Sequence, residues 1–363
     1  MTAQNKKRVA LVGCGTIAKT HGLAIQDLGM QCVAVTDLRP EAAQAYARAY
    51  PELRADWLQA AEWMTAPARL KLREIFPAPR AYASLEEMQD AGPLDAVLIL
   101  TWPPSHCDLT CRAAALGAKA VLCEKPMAMS AAQCDKMIDT CGRHGARLAV
   151  YHESMMLLRQ FAEARQIVAS GQIGPVEFVR ANTVSTLMDW SAYLWAGILH
   201  LLPGRHITRL QAMLDCTRQV TAFGHAQEDR ATVHFTMDNG IHGVLFTGQN
   251  GFSPHGIRID GSQGSLEVSF ITAPTLRHWC AGTSSWRVIT PPRSCGYDDR
   301  RAFLEGVVSA DPFCRQFNGV TAKASTLPIF AAWQSHCQRR PMEMDQPLSF
   351  EVPERYPVRG AAD

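Results

Sequence analysis

The sequence predicts an α/β domain built on a doubly wound, mainly parallel sheet, followed by an α+β domain that carries a large, mainly antiparallel sheet. Three observations predict it. Apolar runs of strand length alternate with helical periodicity as far as residue 151, and the first strand passes through a glycine turn straight into a helix. From Gln219 onward the apolar period falls to two, broken by turns such as Asp238-Asn-Gly240 and Gly261-Ser-Gln-Gly264. A chain of 363 residues suits two domains, with boundaries expected at 1–151 and 152–363.

The first strand, Val9 to Val12, is apolar throughout, as a strand buried on both faces should be. Gly13-Cys-Gly15 turns the chain, and Thr16 to Leu28 has helical spacing. Gly13 takes the backbone angles of the turn, Gly15 lets the chain approach a pyrophosphate, and Ala18 lets the helix pack close to the strand. The helix start at Thr16 and Ile17 offers N–H groups to phosphates. This is the fingerprint of a Rossmann dinucleotide-binding domain. The second strand, Gln31 to Thr36, delivers Asp37 about 20 residues past the turn, where that fold places the acid for the adenosine ribose hydroxyls. An acid there repels a 2′-phosphate and favours NAD. Arg39, two residues on, is placed to receive such a phosphate and leaves NADP open.

The bulk composition, 47% hydrophobic and 19% charged with a net charge of +2, is that of a globular protein and points to neither nucleic acid nor an anionic membrane. The N-terminal residues run directly into the first strand and no apolar run reaches membrane-spanning length, so a cytoplasmic location is expected. Twelve cysteines sit inside expected strands and helices and form no CxxC pair, so they read as reduced thiols, with no metal site expected.

Pro40 to Ala49 is a short helix opened by proline. Residues 51–76, with Trp57, Trp63 and Leu70, exceed the usual connection and read as a helical insertion, either over the cofactor, against another subunit, or as a surface hairpin. The strand Leu94 to Thr101 runs into Trp102-Pro103-Pro104-Ser105-His106, a loop beyond a carboxyl strand end that should face the nicotinamide half of a cofactor, with Thr101, Trp102, Pro104 and His106 as its contacts. The strand Lys119 to Cys123 delivers Glu124-Lys125-Pro126, with Glu124 and Lys125 as further expected cofactor contacts. A lysine at a buried strand end can pass a proton to a hydroxyl or hydrogen-bond a carbonyl oxygen; alternatively it pairs with Glu124 or a nearby carboxylate. A further strand, Arg147 to Tyr151, closes the first domain. Beyond it, helices are expected at Met156 to Ser170, Ile198 to Leu214, Tyr297 to Ala310 and Thr321 to Arg339.

With these residues in view, the chain resembles the Gfo/Idh/MocA oxidoreductases, the glucose–fructose oxidoreductase and inositol dehydrogenase group. The resemblance rests on Gly13-Cys-Gly-Thr-Ile-Ala18, Asp37, the Thr101-to-His106 loop, Glu124-Lys125-Pro126, the Gly171-Gln-Ile-Gly174 and Asp260-Gly-Ser-Gln-Gly-Ser265 turns, Phe303-Leu-Glu-Gly and Pro341-Met-Glu. It implies hydride transfer between NAD(P) and a hydroxyl or carbonyl carbon of a small sugar, cyclitol or glycoside-like substrate. It also implies a homo-oligomer, dimer or tetramer, paired through the second-domain sheet. In that family a helix carries an Asp and, four residues later, a His that acts as base. Aligning on Gly197 and Gly204 puts His206 at the histidine but Leu202 at the aspartate, with Arg209 beyond. Lys125 and His206 are then the expected catalytic pair, and Lys125, Tyr151, His152, His200 and His206 the substrate contacts. The missing acid keeps two other outcomes open: transient oxidation coupled to elimination or glycoside cleavage, and a cofactor- or sugar-sensing protein.

Overall fold

The computed structural model describes residues 6–53, 76–249, 251–271, 275–289, 298–312 and 314–355, so the expected insertion at 51–76 lies almost wholly outside the described residues. Two compact units emerge, and they do not meet at a single point in the chain. One takes residues 1–124, 136–151 and 294–318, the other 125–135, 152–293 and 319–363. One change of unit falls at the expected 151/152, and the remaining segments interleave along the chain.

In the first unit, strands β1 (Arg8–Val12), β2 (Gln31–Thr36), β3 (Arg80–Ala81), β4 (Ala96–Ile99), β5 (Ala120–Cys123) and β6 (Arg147–Val150) form one sheet in the order β3-β2-β1-β4-β5-β6. Every pair in it is parallel. Strands β4 and β5 are buried at every residue, because helices cover both faces of such a sheet and an alternating pattern would bury polar groups. Helices α1 (Thr16–Asp27), α2 (Pro40–Ala49) and α3 (His106–Ala115) follow β1, β2 and β4, and α4 (Ala131–Arg143) leads to β6. This is the dinucleotide-binding strand order. The late helix α7 (Asp298–Ser309) belongs here too. Phe303 stacks 5.5 Å from Tyr151, and the Arg147 guanidinium donates to the Val307 and Val308 carbonyls at 3.0 and 3.3 Å, satisfying acceptors at the helix's C-terminal end.

Beside a short β9 (Val220–Ala222) and β10 (His225–Gln227) pair, the second unit is built on nine strands in the order β16 (Arg287–Ile289), β15 (Leu276–Cys280), β14 (Gly264–Ser269), β13 (His255–Gly261), β7 (Val176–Thr183), β12 (His242–Thr247), β11 (Arg230–Met237), β8 (Ile207–Asp215) and β17 (Met342–Glu343). Strand β7 (Val176–Thr183) pairs in parallel with β12 (His242–Thr247), and all other pairs are antiparallel. The long helix expected at Ile198 to Leu214 is instead a helix, α6 (Ala192–Leu201), and a strand, β8 (Ile207–Asp215). Ile207, Leu210, Ala212 and Leu214 of β8 are buried while Arg209, Gln211, Met213 and Asp215 are exposed, a period of two that the neighbouring leucines mask in the sequence. Helix α8 (Gly319–Gln338) packs on β8 and α6, while α5 (Arg159–Ala169) packs on α6 and β14 (Gly264–Ser269). Among the described residues no helix is long and apolar enough to cross a membrane.

Candidate active site

The glycine turn of the first unit is built as the sequence requires. Gly13 has φ +96°, and its amide donates to the Thr36 carbonyl at 2.8 Å, locking the end of β1 to the end of β2. Gly15 precedes α1, and a Cβ built on it would meet nothing within 4 Å. That open space lies at a helix start with no acidic residue in its first turn, so a diphosphate fits there on the amides of Thr16 and Ile17. Ala18 is buried and its carbonyl accepts from the Tyr46 hydroxyl at 2.8 Å. Asp37 faces this turn, its carboxylate accepting from the Cys14 amide at 2.8 Å and the Arg39 amide at 2.9 Å. The Arg39 guanidinium lies 3.7 Å from the same carboxylate.

The loop after β4 is pinned from below. His106, expected to touch the cofactor, is fully buried and bonds the Thr101 carbonyl through Nε2 at 2.9 Å. The Ser105 hydroxyl donates to Thr101 Oγ1 at 2.7 Å, and Trp102 stands 64% exposed beside Pro103 and Pro104. His106 thus shapes the loop and presents Trp102.

Glu124 is likewise turned inward. Its carboxylate lies 2.8 Å from His21 Nε2, and His21, fully buried, stacks 4.3 Å from Tyr151. Burial holds the His21 ring below its usual pKa against the raising influence of Glu124, and burial also raises the Tyr151 phenol. Tyr151 is therefore core and not a pocket wall. Glu124 serves as the buried anchor just before Lys125, not as a cofactor ligand.

Lys125 opens the second unit's share of the chain. Its Nζ donates to the Asp189 carbonyl at 2.6 Å and to Asp189 Oδ1, and it stands over the Tyr193 ring, 5.6 Å from the centroid. The Lys125 and Asp189 side chains are 18% and 25% exposed. Asp189 lies in a helical turn, Leu187–Ser191, that runs on into α6; Tyr193 follows four residues later and so shares its face. Burial alone would raise the Asp189 carboxyl, but the Lys125 charge, hydrogen bonds from Lys125 and Ser185 and the nearby His225 hold it below the usual carboxylate range. Ser185 donates to Asp189 Oδ2 at 2.6 Å, and the Trp190 ring stacks on His255 at 3.9 Å.

An acid followed four residues later by a titratable side chain thus stands at Asp189 and Tyr193, with Tyr where the resemblance implies His. Leu202 is core, Arg209 pairs with Glu343 at 3.2 Å, and the His206 side chain is 71% exposed, its amide capped by Asp238 at 3.1 Å. His152 is buried against the Ser325 hydroxyl at 2.8 Å. His200 is pushed down to about 4 by burial and the Arg165 charge, which keeps it neutral near pH 7. His206 is thus exposed, while His152 and His200, expected with it as base and substrate contacts, are enclosed. His206→Ala is expected to leave kcat and KM within about twofold, as for an exposed surface change, measured as steady-state turnover.

Glu228 is the least expected titratable group nearby. It is buried, accepting from the Leu187 amide at 2.6 Å and the Thr247 hydroxyl at 2.9 Å. Burial pushes it from 4.5 up to about 7, although those hydrogen bonds pull the other way. Between these two values the folded chain holds a proton that the unfolded chain has released, so stability falls as pH rises through that window, by roughly 3 kcal/mol for this group. Glu228→Gln is expected to remove that fall. His200 works oppositely, because its folded form gives up a proton that the unfolded form keeps, and its contribution cancels in the comparison of variant with wild type by urea unfolding at pH 5 and 7.5.

Residues 7–152 match the Gfo/Idh/MocA family model, described as an oxidoreductase family with an NAD-binding Rossmann fold. That part of the chain is similar to this family, which is described as binding NAD. Mouse trans-1,2-dihydrobenzene-1,2-diol dehydrogenase is 26% identical over 215 residues, 55% of this chain and 62% of its own length. D-Apiose dehydrogenase of Paraburkholderia graminis is 27% identical over 286 residues, 74% of this chain and 69% of its own. The chain thus spans about two thirds of these relatives. Over nearly the whole chain, the fold matches the WlbA dehydrogenase of Bordetella pertussis, solved with NADH and UDP-GlcNAcA, at a TM-score of 0.72 and 20% identity, covering 95% of this chain and 100% of that one.

Proposed function

We propose that the chain is an NAD-dependent dehydrogenase that oxidises a secondary hydroxyl on a sugar, cyclitol or glycoside-like ring, or reduces the matching carbonyl. The observation that carries this is the Lys125–Asp189 pair with Tyr193 one turn further on. Bound NAD supplies the hydride acceptor. Asp189 accepts two hydrogen bonds from the Lys125 ammonium, one on its carbonyl and one on its carboxylate, which orients it. In this reading the ammonium donates to the substrate oxygen and stabilises the negative charge that grows there as the O–H proton leaves. Tyr193 is the proton acceptor in this reading. It accepts as the phenolate, and its place on the Asp189 face, under the Lys125 ammonium, supports its reaching the same substrate oxygen. The relatives named above act, by their names, on a cyclic diol and a sugar, which supports a ring hydroxyl as substrate.

Asp37 and Arg39 support NAD over NADP. The carboxylate is already oriented by two amides toward the turn, and the Arg39 guanidinium is drawn to it instead of standing clear for a 2′-phosphate. The reading includes a cytoplasmic homo-oligomer paired through the nine-stranded sheet, whose outward residues include Arg180, Arg209, Met213 and His234. The test is reduced-nicotinamide absorbance with D-apiose, inositol and cyclic diols under NAD⁺ and NADP⁺. The expected result is kcat/KM at least tenfold higher with NAD⁺, since a buried or repelled charge costs at least about 1.4 kcal/mol. Cleaved product without net NADH points to transient oxidation, and no turnover with tight NAD binding to a sensor.

A further inference from the structure

We propose that Glu228 is a positioning residue of this centre, holding from behind the helical turn on which Asp189 and Tyr193 stand; the proposal rests on the catalytic reading of Lys125 and Asp189. Glu228 lies between β10 (His225–Gln227) and β11 (Arg230–Met237) and is 1% exposed. Its Oε1 accepts from the amide of Leu187, 41 residues away in sequence, and from the hydroxyl of Thr247 at the end of β12.

Leu187 is the first residue of the turn that carries Asp189. That turn already has a local cap, since Thr186 Oγ1 accepts from the Asp189 amide at 3.3 Å. A second acceptor reaching in from a distant strand is not needed to start the helix. What it adds is a fixed distance between the turn and the sheet. The cost of this arrangement is visible, because Glu228 Oε2 is buried without a hydrogen-bond partner, a penalty that a neutral capping side chain avoids. Asp189 holds the Lys125 ammonium by two hydrogen bonds at once, so small shifts of the turn translate directly into misdirection of the ammonium.

The test compares Glu228→Ala, Glu228→Gln and Lys125→Met in the full-length protein with NAD⁺ and D-apiose, together with amide hydrogen exchange of peptides spanning residues 185–195. Glutamine keeps the acceptor oxygen and alanine deletes it. For Glu228→Ala we expect kcat per folded chain to fall about 30-fold with KM within threefold, and exchange of the 185–195 segment to quicken about tenfold. Glu228→Gln should restore both to within about threefold of wild type. Should alanine not fold, Glu228→Asp, one methylene short, replaces it, with an expected tenfold loss of kcat. Wild-type exchange in the alanine or aspartate variant overturns the proposal without any substrate being needed. So does wild-type kcat in a folded alanine variant while Lys125→Met is inactive, an outcome that leaves the catalytic reading standing. Full activity of Lys125→Met instead brings down that reading and this proposal with it.

Discussion

Lys125→Met is expected to lower kcat by about 10³-fold, in the range seen when a transition-state charge loses its main stabilising donor. Methionine keeps most of the apolar stem and removes the ammonium, so the fold should survive while the substrate oxygen loses its partner. Tyr193→Phe, which deletes one oxygen and keeps the ring under Lys125, is expected to cost about 10²-fold with the larger loss at low pH, where hydroxide no longer substitutes as proton acceptor. Asp189→Asn should cost nearly as much as Lys125→Met, and the double variant little more than either single change, because the two side chains act as one unit. A purely structural ion pair predicts the reverse pattern: single variants that lose stability, and a double variant that regains it with turnover intact. Steady-state kinetics and urea unfolding on the same four proteins separate the two.

The parts of this site that were legible in the sequence are those whose chemistry is local. The β1–Gly13–α1 corner declares itself within a dozen residues, since the turn angle, the open space over Gly15 and the helix start are all set by near neighbours. Lys125 is legible for the same reason, as an ion placed where packing does not ask for one. Asp189 and Tyr193 were not found, since Tyr stands where the resemblance implies His. A loop and a strand follow α6 where a continuous helix was expected.

Burial was the other quantity that local pattern does not carry. His106, Tyr151 and His152 each follow a strand at its carboxyl end, the place where open sheets bind ligands, and all three proved to be enclosed. Whether a side chain at such a position points outward depends on what covers it, and the cover is distant in sequence: Phe303 over Tyr151, Ser325 on His152. The same holds for the course of the chain itself. The amphipathic face of α7 shows that something must cover it but not that the covering element is α1, nearly three hundred residues earlier in the sequence. Glu228 belongs to this group, as a carboxylate whose role is fixed only by the amide of Leu187 in a different part of the unit.

The two glycines of the corner offer a separation of folding from binding that the catalytic variants do not. At Gly13 the backbone is in the left-handed region, φ +96°, and an added Cβ would lie 2.7 Å from the Leu100 carbonyl oxygen, a backbone atom just past β4 that cannot swing away. Gly13→Ala therefore strains the backbone and forces β1 from β4. The expected loss is about 3 kcal/mol of stability, with NAD affinity lost as a consequence of the displaced turn. At Gly15 the backbone is extended, φ −76° and ψ −167°, a conformation that any residue adopts, and the added methyl meets no protein atom within 4 Å. Gly15→Ala should fold with a loss of no more than about 1 kcal/mol, the cost of a poorer helix cap. If the diphosphate lies where the open space indicates, that methyl takes its place, and NAD titration followed by calorimetry should show affinity falling at least a hundredfold in a protein whose unfolding curve is near wild type. Wild-type NAD affinity in Gly15→Ala would move the phosphates elsewhere, and the start of α1 would lose its part in holding them.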